Sequence, residues 1–289
     1  MAVYKKILLA TDLSPKAARA REAALQLARD HGAELHLLHV NVLSALHMDY
    51  RGLKEADDYV ASVMATCRES LDAIPDEPGM TIERAVRTDE SPATAVLAYA
   101  EEHAADLIVM GTDKVDTLQR FFVGSVVLKV LHHAEVPVLV VGRDSAGATP
   151  AKRILVATDL SEAADGAVRH AARLAAMNGA AMTLLHVMEP QMATPYDMGQ
   201  VIGDPDPEHG RAALAGFLER TPLEVAPDTD VRVGPAIRTI VDAAEAGGAD
   251  LIVLGATGHS ALGRVLLGST ADRVVQHAPC PVLVHRHKG

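Results

Sequence analysis

A glycine-rich loop in the second half of the 289-residue chain has the residue types that bind phosphate. It begins Gly255-Ala-Thr-Gly258, and nine residues later Gly268-Ser269-Thr270 opens a predicted helix. We expect Gly255 to turn the chain and Gly258 to let the backbone approach a ligand, because glycine has no Cβ. Gly268 and Ser269 would bring free N–H groups and a hydroxyl to a helix N-terminus, which attracts anions. The spacing predicts phosphate binding; the alternative is that these glycines only shape turns.

The chain contains an internal sequence repeat, and this duplication predicts the domain organisation. Lys6–Val40 aligns without gaps with Arg153–Val187, and 18 of the 35 positions are identical. The similarity resumes where Asp250–Gly255 repeats Asp106–Gly111. A repeat of this length predicts two tandem domains. The predicted boundaries are residues 1–143 for the first domain, 144–152 for a linker and 153–289 for the second domain.

Short apolar runs alternate with helical patterns in each half. The runs lack the polar alternation of half-exposed strands, so both faces of each strand should be covered. We therefore predict an α/β fold of two Rossmann-like, doubly wound domains, each a five-stranded parallel sheet with helices on both faces. The predicted strands are Ile7–Ala10, Leu35–Val40, Thr81–Val86, Leu107–Met110 and Val138–Val141, then Ile154–Ala157, Met182–Val187, Asp230–Val233, Leu251–Leu254 and Val282–His285.

Ligands of such sheets bind beyond the carboxyl ends of the strands. In the second half this edge is reached by Asp159 after the first strand, Val187 at the end of the second and Gly255 after the fourth. The first-half counterparts are Asp12, Val40 and Gly111. We predict a ligand contact for Asp159, with a turn residue before Ser161 as the alternative, and a turn role for Asp12.

The long glycine motif resembles that of the universal stress protein family. ATP-binding members carry Gly-x2-Gly-x9-Gly-Ser/Thr after the fourth strand and an aspartate closing the first. Residues 255–270 match this motif at every position, and Ala157-Thr158-Asp159 supplies the aspartate. The resemblance covers both halves, and it implies a tandem-type member with ATP as cofactor and Mg²⁺ as an optional companion.

By this resemblance the second half holds the nucleotide. Asp159 and the main chain of Val187 would hold the adenine, Leu254 and Gly255 would line the ribose, and the loop would hold the phosphates. His259 and Arg264 lie inside the loop and are either phosphate contacts or solvated residues. The implied nucleotide-binding residues are Ala157, Asp159, Val187, Leu254, Gly255, Gly258, His259, Gly268, Ser269 and Thr270.

The first half departs from the motif. Gly111-Thr-Asp-Lys114 and Gly124-Ser125 keep the spacing, but Lys114 replaces the second glycine. Asp113 and Asp116 add negative charge where phosphates would lie. We predict that this first loop is degenerate, which leaves an empty site, another ligand or purely structural contacts open.

Composition excludes several partner classes. A net charge of −11, an aromatic content of 3% and the absence of Trp argue against nucleic acid. No apolar stretch approaches 18 residues, and the first residues lack the apolar region of a signal peptide, so we expect no membrane partner and a cytoplasmic protein. Cys67 and Cys280 form no disulfide framework.

Catalytic and metal-binding signatures are not found in the sequence. His36, His39 and His47 are the first-half histidines worth a zinc test, but their spacing matches no established zinc signature. No nucleophile elbow, Walker lysine or HExxH motif occurs. We therefore predict no catalytic residues, no protein-held metal and no dedicated enzyme, although weak ATP hydrolysis is left open.

The sequence favours an adenine-nucleotide-binding protein with a regulatory or signalling role in stress response and ATP in the C-terminal domain. The alternatives are a slow ATPase and a nucleotide-independent scaffold. By the resemblance, we also predict an intramolecular pseudo-dimer in which Val138–Val141 pairs with Val282–His285, and a homodimer is left open.

Overall fold

The computed structural model of the protein describes residues 2–42, 54–112, 123–142, 150–190, 205–256 and 267–286. Two compact units divide the chain, Met1–Asp144 and Ser145–Gly289. Each unit holds a five-stranded parallel sheet, and helices cover both sheet faces. The predicted doubly wound α/β class is thereby confirmed.

The first domain has the strand order β3-β2-β1-β4-β5. A short 3-10 turn at Pro15–Ala17 precedes its first helix. Its elements are β1 Lys6–Ala10, α1 Ala18–His31, β2 Glu34–Val42, α2 Lys54–Asp72, β3 Ile82–Asp89, α3 Pro92–Glu102, β4 Leu107–Thr112, α4 Ser125–His133 and β5 Val138–Gly142.

The second domain repeats this order as β8-β7-β6-β9-β10. Its first helix begins directly after Ser161 without an intervening 3-10 turn. Its elements are β6 Arg153–Thr158, α5 Glu162–Asn178, β7 Ala181–Met188, α6 Pro207–Arg220, β8 Asp228–Val233, α7 Ala236–Gly247, β9 Leu251–Gly255, α8 Ser269–His277 and β10 Val282–His285. The predicted pairing of Val138–Val141 with Val282–His285 stays a prediction.

The core lies on both faces of each sheet, which explains the continuous apolar runs. Consecutive residues of β1, Ile7, Leu8 and Leu9, point to opposite faces and are all fully buried. Helices therefore cover both sides of these central strands. Within the part of the chain that the structure describes, no helix has the length and hydropathy needed to cross a membrane.

An aspartate before β4 ties that strand to the start of β1. Asp106 accepts hydrogen bonds from the backbone N–H of Lys5 (2.8 Å) and of Lys6 (3.2 Å). Asp250 accepts the two equivalent bonds, from Lys152 (2.8 Å) and Arg153 (2.9 Å). Each domain thus fixes two neighbouring strands by the same long-range contact.

We expect Asp106→Ala to lower the free energy of unfolding of the first domain by about 2 kcal/mol, because two N–H groups lose a charged acceptor. Urea unfolding followed by circular dichroism measures the change. Asp72→Ala is the control, since Asp72 is exposed at the end of α2. Equal effects of the two substitutions would show that the Asp106 contact contributes nothing.

Candidate functional site

A cavity of about 270 Å³ lies at the carboxyl ends of β6, β7 and β9 and beside the start of α8. The structure brings eight of the ten predicted site residues together around it, and the remaining two, Gly258 and His259, lie outside the described residues. The eight are Ala157, Asp159, Val187, Leu254, Gly255, Gly268, Ser269 and Thr270.

The turn that follows β6 is held by its own side chains. Asp159 Oδ1 accepts hydrogen bonds from the N–H of Ser161 (3.1 Å) and from its hydroxyl (2.6 Å), and Thr158 Oγ1 accepts one from the N–H of Leu160 (3.0 Å). Leu160 has a φ of 64°, in the left-handed region that bulky residues rarely adopt. These bonds stabilise a strained turn at the cavity edge. Asp159 therefore has the turn role given as the alternative and also lines the cavity.

Histidines at equivalent positions of the two domains fasten this turn to the second strand. His186 Nδ1 donates a hydrogen bond to the carbonyl oxygen of Thr158 (3.0 Å). His39 Nδ1 makes the same bond to Thr11 (2.9 Å). A carbonyl only accepts, so the proton of each bond belongs to Nδ1. Both histidines are structural supports of the turn.

His36, one of the three histidines considered for zinc binding, makes other contacts. His36 is buried, and its two ring nitrogens bond the Tyr99 hydroxyl (2.9 Å) and the Glu34 carboxylate (3.0 Å). Burial lowers the pKa of His36, and Glu34 partly opposes this shift. His47 lies outside the described residues. The described residues contain no cluster of three or more His, Cys, Asp or Glu side chains placed to hold a metal ion.

The start of α8 differs in one detail from the prediction. Gly268 was expected to offer a free N–H group, but this group donates to the carbonyl oxygen of Ala256 (2.7 Å). The Gly268 φ of −64° is also open to any residue. The N–H groups that an α-helix leaves without an intrahelical acceptor at this point are those of Ser269, Thr270 and Ala271, in its first turn.

Two strand-end predictions are also wrong, each by one residue. Gly255 does not turn the chain off the strand, because it is part of β9, in register with His285, and its φ is not positive. Val187 does not end β7, which continues to Met188. Both residues still line the cavity, since the last residues of neighbouring parallel strands reach the same edge.

Glu189 is a cavity residue that the sequence reasoning missed. It follows β7 directly, and its Oε1 accepts a hydrogen bond from the N–H of Ala236 (2.7 Å) at the start of α7. Its position one residue beyond a strand end was the signal that could have found it. Asp159 and Glu189 are the charged side chains among the described lining residues, and both are acidic. Arg264, a candidate phosphate contact, lies outside the described residues.

The first domain has a larger cavity, of about 460 Å³, at the same sheet edge. Asp12 and Val40 line it as Asp159 and Val187 line the second cavity. Val126 stands where the second domain has Thr270. The substituted loop residues, Asp113, Lys114 and Asp116, lie outside the described residues.

The universal stress protein family model matches residues 3–142 and, a second time, residues 150–286. The chain belongs to the universal stress protein family. It is similar over its length to a universal stress protein of Mycolicibacterium smegmatis, 28% identical over 302 residues that cover 97% of this chain and 96% of the relative.

A shorter relative and a solved structure are also similar to this chain. A universal stress protein of Methanocaldococcus jannaschii is 35% identical over 137 residues, 46% of this chain and 81% of the relative. The crystal structure of a universal stress protein from Archaeoglobus fulgidus has a TM-score of 0.68 at 21% identity and covers 97% of this chain and 98% of its own. The two family matches in one chain make it a tandem member.

Proposed function

We propose that the second domain of this universal stress protein binds one ATP and that nucleotide occupancy regulates its interactions in stress response. The observation that carries the proposal is that Ser269, Thr270 and Ala271, which form the first turn of α8, line one cavity together. A helix N-terminus with unpaired donors binds phosphate oxygens.

Other residues of the cavity lining suit an adenine ring. Leu185, Leu254 and Ile240 provide apolar walls for a flat ring. Asp159 and Val187 line the same cavity, and the Asp159 carboxylate and the Val187 main chain would serve as hydrogen-bond partners for ring and amino nitrogens. An apolar pocket with a few placed polar groups is the usual form of a small-molecule site.

The charge of the lining makes Mg²⁺ a fitting companion of the nucleotide. Asp159 and Glu189 give the cavity an acidic lining, and the described lining residues include no basic side chain to compensate the phosphates of ATP. Carboxylate and hydroxyl oxygens are the ligands Mg²⁺ prefers, and this ion keeps several waters and phosphate oxygens. When bound, Mg²⁺ would supply positive charge against the phosphates, with Ser269 and Thr270 nearest to them on the protein side.

We expect removal of Mg²⁺ with EDTA to weaken ATP binding at least about tenfold, because the described lining holds two carboxylates and no basic side chain to compensate the phosphates. Isothermal titration calorimetry of ATP with and without Mg²⁺ measures the change. Glu189→Gln provides the matched test, since loss of one acid should reduce the Mg²⁺ dependence. Equal affinity in both buffers would mean that groups of the protein, and not Mg²⁺, compensate the charge of the ATP phosphates.

A regulatory role requires that occupancy changes more than the cavity itself. Hydrogen exchange with and without Mg-ATP tests it: we expect protection at the β6–α5 turn and the first turn of α8, together with a change at a surface away from both. Protection confined to the cavity would leave nucleotide binding in place and remove the regulatory part. A host strain lacking the protein should survive growth arrest less well, with rescue by the unaltered chain.

A further inference from the structure

Two histidines of the second domain meet through the same ring atom. His170 on α5 and His285 at the end of β10 are far apart in the chain, and their Nδ1 atoms lie 3.0 Å apart. The ring centroids are 5.0 Å apart, and the ring planes meet at 70°. A hydrogen bond between two imidazoles has one donor and one acceptor, so at least one ring directs an Nδ1 lone pair at the other.

The first domain has small apolar residues at both equivalent positions. Ala23 of α1 corresponds to His170, and Val141 of β5 corresponds to His285. Ala23 and Val141 are both buried. The same fold therefore forms with apolar residues at the two places. The histidine pair belongs to the second domain alone, and the fold does not require it.

The backbones that carry the two histidines are fixed. Val168 and Ala171, on either side of His170 in α5, are fully buried. The carbonyl oxygen of His285 accepts a hydrogen bond from the N–H of Ala256 (2.8 Å). Both histidines are half-buried, so an ion from solvent can reach them. A site on a helix and a strand keeps its geometry better than a site on loops.

The separation of the two Nδ1 atoms is close to that of two metal ligands. A Zn–N bond of about 2.0–2.1 Å places two nitrogens about 3.3 Å apart in a tetrahedral site. The observed 3.0 Å therefore has to increase by only about 0.3 Å. The proton between the rings would move to the Nε2 atom of its own ring, and both Nδ1 lone pairs would then reach the ion.

The charged neighbours of His170 on α5 do not oppose a cation. The guanidinium of Arg169 pairs with Asp165 (2.7 Å), and that of Arg173 pairs with Glu224 (3.5 Å). No group of three or more His, Cys, Asp or Glu side chains suited to a metal ion occurs in the described ranges. Water would therefore complete the coordination, as in zinc sites that keep an open position.

We propose that His170 and His285 form a binding site for a divalent transition-metal ion of the kind that imidazole prefers, such as Zn²⁺ or Cu²⁺. The ion takes the place of the proton that the two Nδ1 atoms share and joins α5 to β10. With two protein ligands the site is open, and the ion exchanges with solvent. This site is separate from the proposed ATP site, and its test uses no nucleotide.

Calorimetric titration of Zn²⁺ into the untagged, EDTA-treated and dialysed full chain tests the site. His170→Ala and His285→Val carry the first-domain residues, so both variants should fold. Each should weaken Zn²⁺ binding at least about tenfold, because one of two protein ligands is lost. His277→Ala is the matched control, since His277 is exposed at the end of α8 in the same domain, and it should leave the affinity unchanged.

Electron paramagnetic resonance of Cu²⁺ bound to the unaltered chain gives a second readout that needs no variant. We expect hyperfine splitting from two imidazole nitrogens. Absence of Zn²⁺ binding by the parent chain, or a loss confined to one of the two histidine variants, would overturn the proposal. An equal loss in His277→Ala would overturn it too, because exposed histidines in general would then bind the ion. A Cu²⁺ spectrum with a single nitrogen would also contradict it.

Discussion

Ser269→Asp is expected to weaken ATP binding about 100-fold, equivalent to roughly 2.7 kcal/mol. Ser269 is the first residue of α8 and lines the second-domain cavity. A carboxylate there would occupy the proposed anion site. It would accept hydrogen bonds from the first-turn N–H groups and would repel phosphate. An acidic residue in the first turn of a helix is favourable for the helix, so the fold should be retained.

The first domain offers the matched control for this substitution. Ser125 begins α4 as Ser269 begins α8. Ser125→Asp should leave ATP affinity and stoichiometry unchanged, because we assign ATP to the second domain alone. Calorimetry at fixed Mg²⁺ compares the two variants. Equal losses in both would mean that phosphates reach both helix starts.

Acidification from pH 6.5 to pH 4 is expected to cost the first domain up to about 3 kcal/mol of stability through His31 alone. Burial lowers the pKa of His31 to about 4, against the opposing influence of Asp30. Its Nδ1 accepts hydrogen bonds from the N–H groups of Val3 (3.0 Å) and Tyr4 (3.2 Å), which requires the neutral ring. Since the unfolded chain takes up this proton first, stability is full above pH 6.5 and is lost as the pH falls toward 4.

His31→Asn isolates this effect, since asparagine is the residue that the second domain has at the equivalent position 178. The variant should be less stable than the parent at pH 7, and the difference should shrink as the pH approaches 4. Urea unfolding at pH 7, 6, 5 and 4 gives both curves. A difference that is independent of pH would show that the ring does not titrate with folding.

The fold was predictable because its signals are local and occur twice. Buried parallel strands require continuous apolar runs, and these placed β1 and β10 within one residue of their observed bounds. The error at the end of β2 has a physical cause. The strand was predicted to end at Val40, but it continues to Val42 beside Thr88 and Asp89 of β3. Polar residues at the carboxyl end of a strand can still pair through their backbones. A pattern of apolar residues does not predict such an extension of the strand.

The candidate site was predictable only in part, because its finer contacts are made across the sequence. The same Thr-Asp-Leu-Ser occurs at residues 11–14 and 158–161, yet only Ser161 makes a cap bond. Pro15 and a 3-10 turn follow Ser14, whereas an α-helix begins directly after Ser161. The bond from Gly268 to Ala256 spans the loop, and it could not be inferred from the spacing of glycines. Residue types predicted which residues line the cavity, but tertiary contacts determine which backbone N–H groups already have an acceptor.

We propose that each chain binds one ATP in its second domain. The most direct measurement begins with freshly purified protein that is incubated with Mg-ATP and freed of unbound ligand. The nucleotide released by acid quench is then quantified per chain. Ser269→Asp and Ser125→Asp are measured in parallel. We predict close to one ATP per chain for the parent and Ser125→Asp, and almost none for Ser269→Asp. Two ATP per chain would contradict this prediction. One ATP per chain that is lost in Ser125→Asp and retained in Ser269→Asp would contradict it as well.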